Sequence, residues 1–364
     1  MTMMTYVYLI AGLVLLVAGA EVLVRGAAKL AAQFGIPPLV IGLTVVAFGT
    51  SAPETAVSVQ SAWNGSGDLA IGNVIGSNIA NVLLILGMTA LVAPLIVSRQ
   101  LIRLDVPIMI GASLVTFGLA WDGALSRLDG ALLFTAVLAY TAFLIYNARK
   151  DSGGEDDEFT KEFGLDEAPK PYAWAINLGL VIAGLALLVL GSNFLVEGAV
   201  TLARALGLSE LVIGLTVIAI GTSLPELATS IIAAFKGERD IAVGNIVGSN
   251  IFNLLLVLGL ASLVAPAAIS VSPNALAFDF PVMIAVAVAC LPIFFTGFRI
   301  NRWEGALFLA YYLAYTGYLV LFATGRPFAQ TFGDAMLGYV LPLTAVTLVI
   351  IAGRSWRSHR KAGI

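Results

Sequence analysis

Two glutamates occupy the same short motif at two places in a strongly apolar sequence. Glu54 ends the motif GTSAPE (49–54), and Glu226 ends the motif GTSLPE (221–226). Lys and Arg occur only towards the ends of the surrounding apolar stretches, so the sequence offers neither carboxylate a basic partner. An ionisable side chain inside an apolar span costs enough free energy to indicate a functional role. We therefore expect the two carboxylates to bind a cation.

Oxygen-bearing residues surround each glutamate. Hydroxyl residues precede it in both motifs, and the polar segments GNVIGSNIAN (72–81) and GNIVGSNIFN (244–253) follow it. Hard cations such as Ca²⁺ and Na⁺ prefer oxygen ligands, whereas soft transition metals prefer Cys, Met or His, which these motifs lack. The predicted cation ligands are Glu54, Glu226, Thr50, Thr222, Ser51, Ser223, Ser77, Ser249, Asn81 and Asn253, together with backbone carbonyls near Ala47 and Ala219.

The spacing within the polar segments is helical. Asn73, Ser77 and Asn81 lie four residues apart, which places them on one face of a helix that can line a cavity. Asn78 and Asn250 lie one residue off this face, and they either bond only a neighbouring backbone group or contribute to the site. The glycines that favour close helix packing are Gly72, Gly76, Gly244 and Gly248.

The composition predicts that these elements lie in a membrane. Hydrophobic residues make up 59% of the chain and charged residues 11%, against about 25% charged residues in a soluble domain. Since a membrane span needs about 20 apolar residues, the sequence predicts an all-α polytopic membrane protein with eleven helices. The predicted spans are 6–32, 37–62, 70–93, 105–120, 128–147, 173–203, 211–235, 242–264, 279–296, 304–323 and 335–353.

Other conspicuous residues are predicted to be structural. The chain has one cysteine, Cys290, and one histidine, His359, so a disulfide, zinc or haem site cannot be assembled from them, and we predict no cofactor. Asp105 and Asp279 stand in D-x-P at the start of spans, where a carboxylate is expected to cap the helix. Glu21 lies four residues before an arginine, which is the spacing of a helical ion pair, although a role in the ion pathway stays open.

The motifs belong to a long internal repeat. LVIGLTVVAFGTSAPE (39–54) reappears as LVIGLTVIAIGTSLPE (211–226), and RLDGALLF (127–134) aligns with RWEGALFL (302–309). An odd number of spans separates each element from its copy, so the sequence predicts two inverted-topology repeats of five helices. Such repeats place substrate sites near the membrane midplane, on helices interrupted by Gly or Pro. The predicted units are the first repeat 1–148, an acidic linker 149–171, the second repeat 172–323, and an extra C-terminal helix with a basic tail 324–364.

The distribution of basic residues predicts the orientation in the membrane. Cytoplasmic loops carry an excess of Lys and Arg. An amino terminus outside the cell leaves only Arg127, Arg204 and Arg326 of the 19 basic residues on the outer side. This arrangement places the linker 149–171 and the carboxyl terminus in the cytoplasm, and it requires the eleventh span.

The two motif pairs, GTSAPE with GNVIGSNIAN and GTSLPE with GNIVGSNIFN, resemble the α-repeats of the sodium/calcium exchanger family of the cation/Ca²⁺ antiporter superfamily. The resemblance covers about 1–323 and implies ten helices in two inverted halves. It also implies that Na⁺ and Ca²⁺ compete for a site on the broken second and seventh helices and on the third and eighth. Many prokaryotic and K⁺-dependent members have Asp where this chain has Asn253, and the eleventh helix is a second departure from the pattern.

These observations lead to a functional prediction. With Asn at both motif ends the site carries two formal negative charges, which one Ca²⁺ neutralises, so we expect K⁺-independent and electrogenic exchange of Na⁺ for Ca²⁺. The alternatives are a H⁺/Ca²⁺ or a K⁺-dependent exchanger, with a cation channel or an intramembrane enzyme less compatible with inverted repeats. We expect an integral protein of the inner membrane, with Ca²⁺, Na⁺ and the lipid bilayer as its partners and no nucleic acid. A monomer suffices for this function.

Overall fold

A computed structural model describes residues 3–151, 172–207, 213, 217, 219–326, 328–336, 338, 342–343 and 353. Nearly all of these residues are helical. The first half contains α1 Met3–Phe34, α2 Pro38–Thr50, α3 Ala52–Trp63, α4 Gly67–Val92, α5 Leu101–Asp122 and α6 Arg127–Asp151. The second half contains α7 Ala173–Ala205, α8 Ala219–Gly221, α9 Leu224–Phe235, α10 Arg239–Val264, α11 Ala275–Phe295, α12 Arg302–Ala323 and α13 Phe328–Ala335.

The helices confirm an all-helical membrane architecture. Within the described residues, eight helices are long and apolar enough to cross a membrane, and the bent pair α2 and α3 makes up to nine. The predicted span 211–235 is described mainly in its second part, as α9. Most of the predicted eleventh span 335–353, like residues 152–171 of the acidic linker, lies outside the described residues. The unit boundaries and the opposite orientation of the two halves stay predictions.

Several helices contain π-helical turns, in which an extra residue is accommodated in one turn. Three of these segments are Leu101–Asp105, Asn81–Leu86 and Asn253–Val257. The first extends α5 before Asp105, and a matching π-helical segment, Ala275–Asp279, opens α11. These helices therefore begin earlier than the predicted spans 105–120 and 279–296.

The expected capping role of the two D-x-P aspartates is wrong. Neither Asp105 nor Asp279 forms a side-chain capping bond, because the π-helical turn continues the helix ahead of each one. Instead, the hydroxyl of Tyr140 donates to Asp105 at 3.1 Å, and the hydroxyl of Tyr315 donates to Asp279 at 3.3 Å. Each aspartate thus ties its own helix to the next helix of the same half.

In the part of the chain that the structure describes, four two-residue strands connect the halves. They are β1 Leu95–Ile96, β2 Ala124–Leu125, β3 Ile269–Ser270 and β4 Arg299–Ile300. β1 pairs with β4 and β2 pairs with β3, both antiparallel, so each half pairs the strand after its third span with the strand before the last span of the other half. The exchange of equivalent partners indicates an approximate twofold relation between the halves.

Two arginines repeat this exchange. Arg127 at the start of α6 donates to the carbonyl of Ala265, just beyond the end of α10, at 3.0 Å. Arg302 at the start of α12 donates to the carbonyl of Val92, at the end of α4, at 3.4 Å. A guanidinium near the last carbonyls of a helix also interacts favourably with the helix dipole.

The long helices α1 and α7 pack through glycines. A Cβ atom at Gly12 would lie 2.8 Å from the carbonyl oxygen of Gly191, and one at Gly19 would lie 2.9 Å from that of Gly184. Backbones approach this closely only where small residues occupy the interface. The helices α4 and α10 occupy the centre of the protein. The most apolar stretches of these two helices are 83% and 89% buried, whereas those of the other long spans are at most 39% buried.

Candidate cation-binding site

Both glutamates lie directly after an interruption of a helix. α2 and α3 meet at Ser51 with a bend of 46°, and α8 and α9 are separated by Thr222 and Ser223. The interruption follows from Pro53 and Pro225, because proline has no N–H to donate to the carbonyl four residues earlier. Glu54 and Glu226 therefore stand in the first turn of the helix that follows, where the positive end of the helix dipole favours a carboxylate.

Each carboxylate accepts hydrogen bonds from a serine of the other half. Ser223 donates to Oε1 of Glu54 at 3.0 Å, and Ser51 donates to Oε1 of Glu226 at 3.3 Å. Serines of the same half complete the contacts: Ser77 lies 3.4 Å from Oε1 of Glu54, and Ser249 lies 3.5 Å from that of Glu226. The four motifs that are separate in the sequence thus meet at one place.

This place is buried and lacks a counter-charge. Glu54 and Glu226 are both 0% exposed, and the salt bridges of the described residues involve neither of them. Oε2 of each glutamate has no hydrogen-bond partner among the described residues. A buried charge without a partner is costly, so two uncompensated carboxylates favour a bound cation.

Two asparagines that were not among the predicted ligands hold the interruptions together. Thr50 donates to Oδ1 of Asn245 at 3.0 Å, and Thr222 donates to Oδ1 of Asn73 at 3.4 Å. The Nδ2 of Asn73 is 3.3 Å from the carbonyl of Glu54, and that of Asn245 is 3.4 Å from the carbonyl of Glu226. Their place on the polar stripe of α4 and α10 predicted that they line the cavity. Their bridging of the two halves was not visible in the sequence.

The remaining predicted amide ligands begin π-helical segments. Asn81 and Asn253 each occupy the first position of such a segment, and both are 0% exposed. Oδ1 of Asn81 and both amide atoms of Asn253 have no hydrogen-bond partner among the described residues. Since π-helical turns inside α-helices are frequent at functional sites, this position agrees with a role for both residues at the cation.

The backbone carbonyls near the two helix interruptions have different hydrogen-bond partners. The carbonyl of Ala47 accepts the N–H of Ser51 at 3.1 Å and the Thr50 hydroxyl at 3.4 Å, and Ala219 begins the short helix α8. Whether these two carbonyls coordinate a cation stays a prediction. The carbonyl of Gly221 accepts the hydroxyl of Ser192 on α7 at 2.6 Å, a contact that the sequence did not predict.

The glycines of the two polar segments differ in how closely the neighbouring helix approaches them. A Cβ atom at Gly244 would lie 2.8 Å from the carbonyl of Leu39, and one at Gly248 would lie 2.7 Å from that of Leu43, which confirms close packing of α10 against α2. No described atom lies within 4 Å of the corresponding positions at Gly72 and Gly76. The close approach predicted for α4 at these two glycines is therefore not found within the described part of the chain.

The assembled side chains supply oxygen ligands. No cluster of three or more His, Cys, Asp or Glu occurs in the described residues. Two carboxylates, four serine and two threonine hydroxyls and two amides suit a hard cation of charge one or two. Hydroxyls can rotate to present a lone pair to a cation or a hydrogen to a carboxylate, so the same groups suit both occupied and empty states.

The chain is similar to several known proteins. Residues 4–146 and 176–321 match the family model described as sodium/calcium exchanger protein. The chain is 42% identical to the putative antiporter CaxA of Alkalimonas amylolytica, over 85% of this chain and 96% of that protein. It is 45% identical to the inner membrane protein YrbG of Escherichia coli, over 77% of this chain and 85% of that protein.

Two further relatives extend the comparison. The sodium/calcium exchanger MaX1 of Methanosarcina acetivorans is 35% identical over 86% of this chain and 98% of its own length. A solved structure of the sodium-calcium exchanger NCX_Mj, soaked with Na⁺ and Sr²⁺, superposes with a TM-score of 0.73 at 31% identity. That superposition covers 86% of this chain and 97% of the other.

Proposed function

Since this chain belongs to the sodium/calcium exchanger family, a family of transporters rather than enzymes, we propose that it exchanges Na⁺ for Ca²⁺ across the cytoplasmic (inner) membrane. The exchange would proceed by alternating access at the site built on Glu54 and Glu226. MaX1 and NCX_Mj are named sodium/calcium exchangers, which supports Na⁺ and Ca²⁺ as the exchanged ions. YrbG is named an inner membrane protein, which supports the location in the inner membrane.

One observation carries the proposal. Two fully buried carboxylates lie without a described basic partner, and each is bound by a serine hydroxyl of the opposite half. A cation that enters the site contacts both halves at once, so its binding is sensitive to their relative position. Such sensitivity is what a carrier needs to couple ion binding to a change of access.

The charge of the site supports an electrogenic cycle. One Ca²⁺ neutralises the two carboxylates, whereas three or more Na⁺ leave the loaded site positive. Each elementary charge that crosses the membrane is worth about 2.3 kcal/mol per 100 mV. An inside-negative potential therefore favours entry of the Na⁺-loaded form and export of Ca²⁺. With Asn253 in place of an aspartate, the site lacks the third carboxylate that would favour an additional K⁺ or proton.

The test is Ca²⁺ flux in membrane vesicles with an imposed Na⁺ gradient. Glu54→Gln and Glu226→Gln should each abolish Na⁺-driven flux, because each removes half of the formal charge. Glu304→Gln is the matched control: Glu304 is only 2% exposed, but it accepts hydrogen bonds from Asn301 at the start of α12, away from the site. This control should transport normally.

The same vesicles separate the alternatives. If Ca²⁺ flux responds to a pH gradient and not to a Na⁺ gradient, the coupling ion is H⁺ rather than Na⁺. If Ca²⁺ flux occurs only with added K⁺, the exchange depends on K⁺. Near-normal exchange by a folded Glu54→Gln or Glu226→Gln variant would refute the assignment of the site. If the rate of exchange stays the same when the membrane potential is set to different values with valinomycin, electrogenic exchange is refuted.

A further inference from the structure

An amide pair connects the cation site to the opposite half. Nδ2 of Asn81 donates to Oδ1 of Asn250 at 3.1 Å, and Nδ2 of Asn250 lies 3.4 Å from the sulfur of Met109. Both asparagines are buried. With the NH₂ group of Asn81 engaged by Asn250, the atom that Asn81 can offer to a cation is Oδ1.

The repeat places the same three residue types in the other half, as Asn253, Asn78 and Met283. There the pair is not formed. Nδ2 of Asn78 donates to the carbonyl of Val74 in its own helix at 3.0 Å. Oδ1 of Asn78 and both amide atoms of Asn253 lack a partner among the described residues.

These unpaired groups are complementary. Asn78 is 3% exposed and Asn253 is 0% exposed, and buried polar atoms without a hydrogen bond are uncommon and costly. The side chain of Asn78 has an acceptor to offer, and Asn253 has a donor. By the repeat, the counterpart of the Asn81–Asn250 pair would join Nδ2 of Asn253 to Oδ1 of Asn78.

We propose that Asn250 and Asn78 are positioning residues, which turn the amides of Asn81 and Asn253 so that the carbonyl oxygen faces the transported cation. The proposal rests on the proposed function at this site. An asparagine amide has nearly the same shape in both orientations, so only its hydrogen-bond partners decide which atom it presents. An NH₂ group facing the site repels a cation, whereas the oxygen binds it. In the second half, the cation binds the oxygen of Asn253. The NH₂ group of Asn253 then faces away from the cation and donates to Asn78, so the Asn78–Asn253 pair forms when the cation binds.

Leucine has the same number and branching of side-chain heavy atoms as asparagine but no acceptor, so Asn250→Leu and Asn78→Leu remove the two partners. Each variant should raise the apparent KM for Ca²⁺ by about three- to tenfold, the range of one hydrogen bond to a ligand group. The maximal rate should stay within about twofold, because the partners do not themselves touch the cation. The measurement is Na⁺-driven ⁴⁵Ca²⁺ uptake into vesicles at graded Ca²⁺.

A double-mutant cycle separates positioning from general damage to the fold. In an Asn81→Ala background, Asn250→Leu should add no further increase in KM, and the same should hold for Asn78→Leu in an Asn253→Ala background. The matched control is Asn177→Leu. Asn177 also pairs with another amide across two helices, donating to Gln33 at 3.3 Å, but it connects α7 to α1 outside the site. This control should leave the KM unchanged.

The outcomes are distinct. A wild type without Na⁺-driven Ca²⁺ flux would refute the proposed function itself. A wild type that exchanges, with both leucine variants unchanged in KM, would overturn the positioning role alone. An effect of leucine that persists in full in the alanine backgrounds would also overturn it. Where a leucine variant fails to accumulate in the membrane, Asn250→Ala or Asn78→Ala takes its place in the same cycle.

Discussion

Ser192 compensates for a hydrogen bond that proline removes. In a regular helix the N–H of residue 225 would donate to the carbonyl of Gly221, but Pro225 has no N–H. The hydroxyl of Ser192, which is 4% exposed, donates to this carbonyl at 2.6 Å. The first half has Ala20 at the position that corresponds to Ser192 in the repeat, so the equivalent hydroxyl is missing there.

Ser192→Ala should therefore leave a buried carbonyl without its side-chain donor. Loss of a partner at a buried group costs about 1–3 kcal/mol, and the unfolding free energy in detergent should fall by that amount. The carbonyl directly precedes Thr222 and Ser223, which contact the site. In the variant, the break between α8 and α9 should be less ordered, and its side chains should hold the site less firmly. The apparent KM for Ca²⁺ should therefore rise by about two- to tenfold, equivalent to about 0.4–1.4 kcal/mol of binding free energy.

Ser113→Ala provides the control for this measurement. Ser113 is equally buried and donates to the carbonyl of Met109 at 2.9 Å, but that carbonyl is in regular helix within α5 and keeps its backbone donor. We expect a loss below about 1 kcal/mol for Ser113→Ala and an unchanged KM. Denaturation with and without Ca²⁺, together with vesicle flux, measures both quantities. Equal stability and equal KM for the two alanine variants would refute the reasoning.

Three further predictions concern charge and topology. Lys236→Gln should change the exchange rate by less than about threefold, measured as initial flux, because the contact between Lys236 and Glu21 is partly exposed and such pairs contribute little; abolished transport would contradict this. Asn253→Asp adds a third carboxylate, which either attracts a further cation or takes up a proton, so flux from pH 6 to 9 with and without K⁺ should differ from wild type; superimposable curves would place Asn253 outside the ion site. A tag before Met1 should be accessible from the periplasm and a tag after Ile364 only from the cytoplasm, and labelling of both on one side would exclude eleven spans.

The sequence predicted the location of the site but not its internal connections. Glu54 and Glu226 were identifiable as candidate ligands because a shared cation is the simplest reason for two charged residues to occupy matching apolar spans, and the structure brings their motifs together. The serine contacts between halves agree with this reading, since inverted repeats bring equivalent motifs together. Asn73 and Asn245 were visible as members of a polar stripe, but their bonds to threonines of the other half depend on tertiary packing.

Local rules failed where a helix deviates from its usual period. The D-x-P pattern predicted that Asp105 caps α5, and it failed because the π-helical turn from Leu101 to Asp105 carries the helix further back. Nothing in the composition distinguishes such a turn from an α-helical one. Asn250 was similarly ambiguous, because the sequence of its own helix does not decide between a bond to its own backbone and a bond to a side chain of another helix. Only the packing of α10 against the π-helical segment Asn81–Leu86 inside α4 decides between them.

The reciprocal serine contacts also bear on how such a protein can arise. Because Ser223 donates to Glu54 and Ser51 donates to Glu226, a single half would keep the serine of its own half at its carboxylate but would lack the serine of the other half. Two copies of one half, assembled as a symmetric dimer, satisfy both by the same contacts. In such a dimer the two copies would supply the contacts that the two halves supply here, and fusion of the copies would change only the connectivity. Fusion has a separate benefit: it lets the copies diverge, so that Ser192 can serve one half without being imposed on the other.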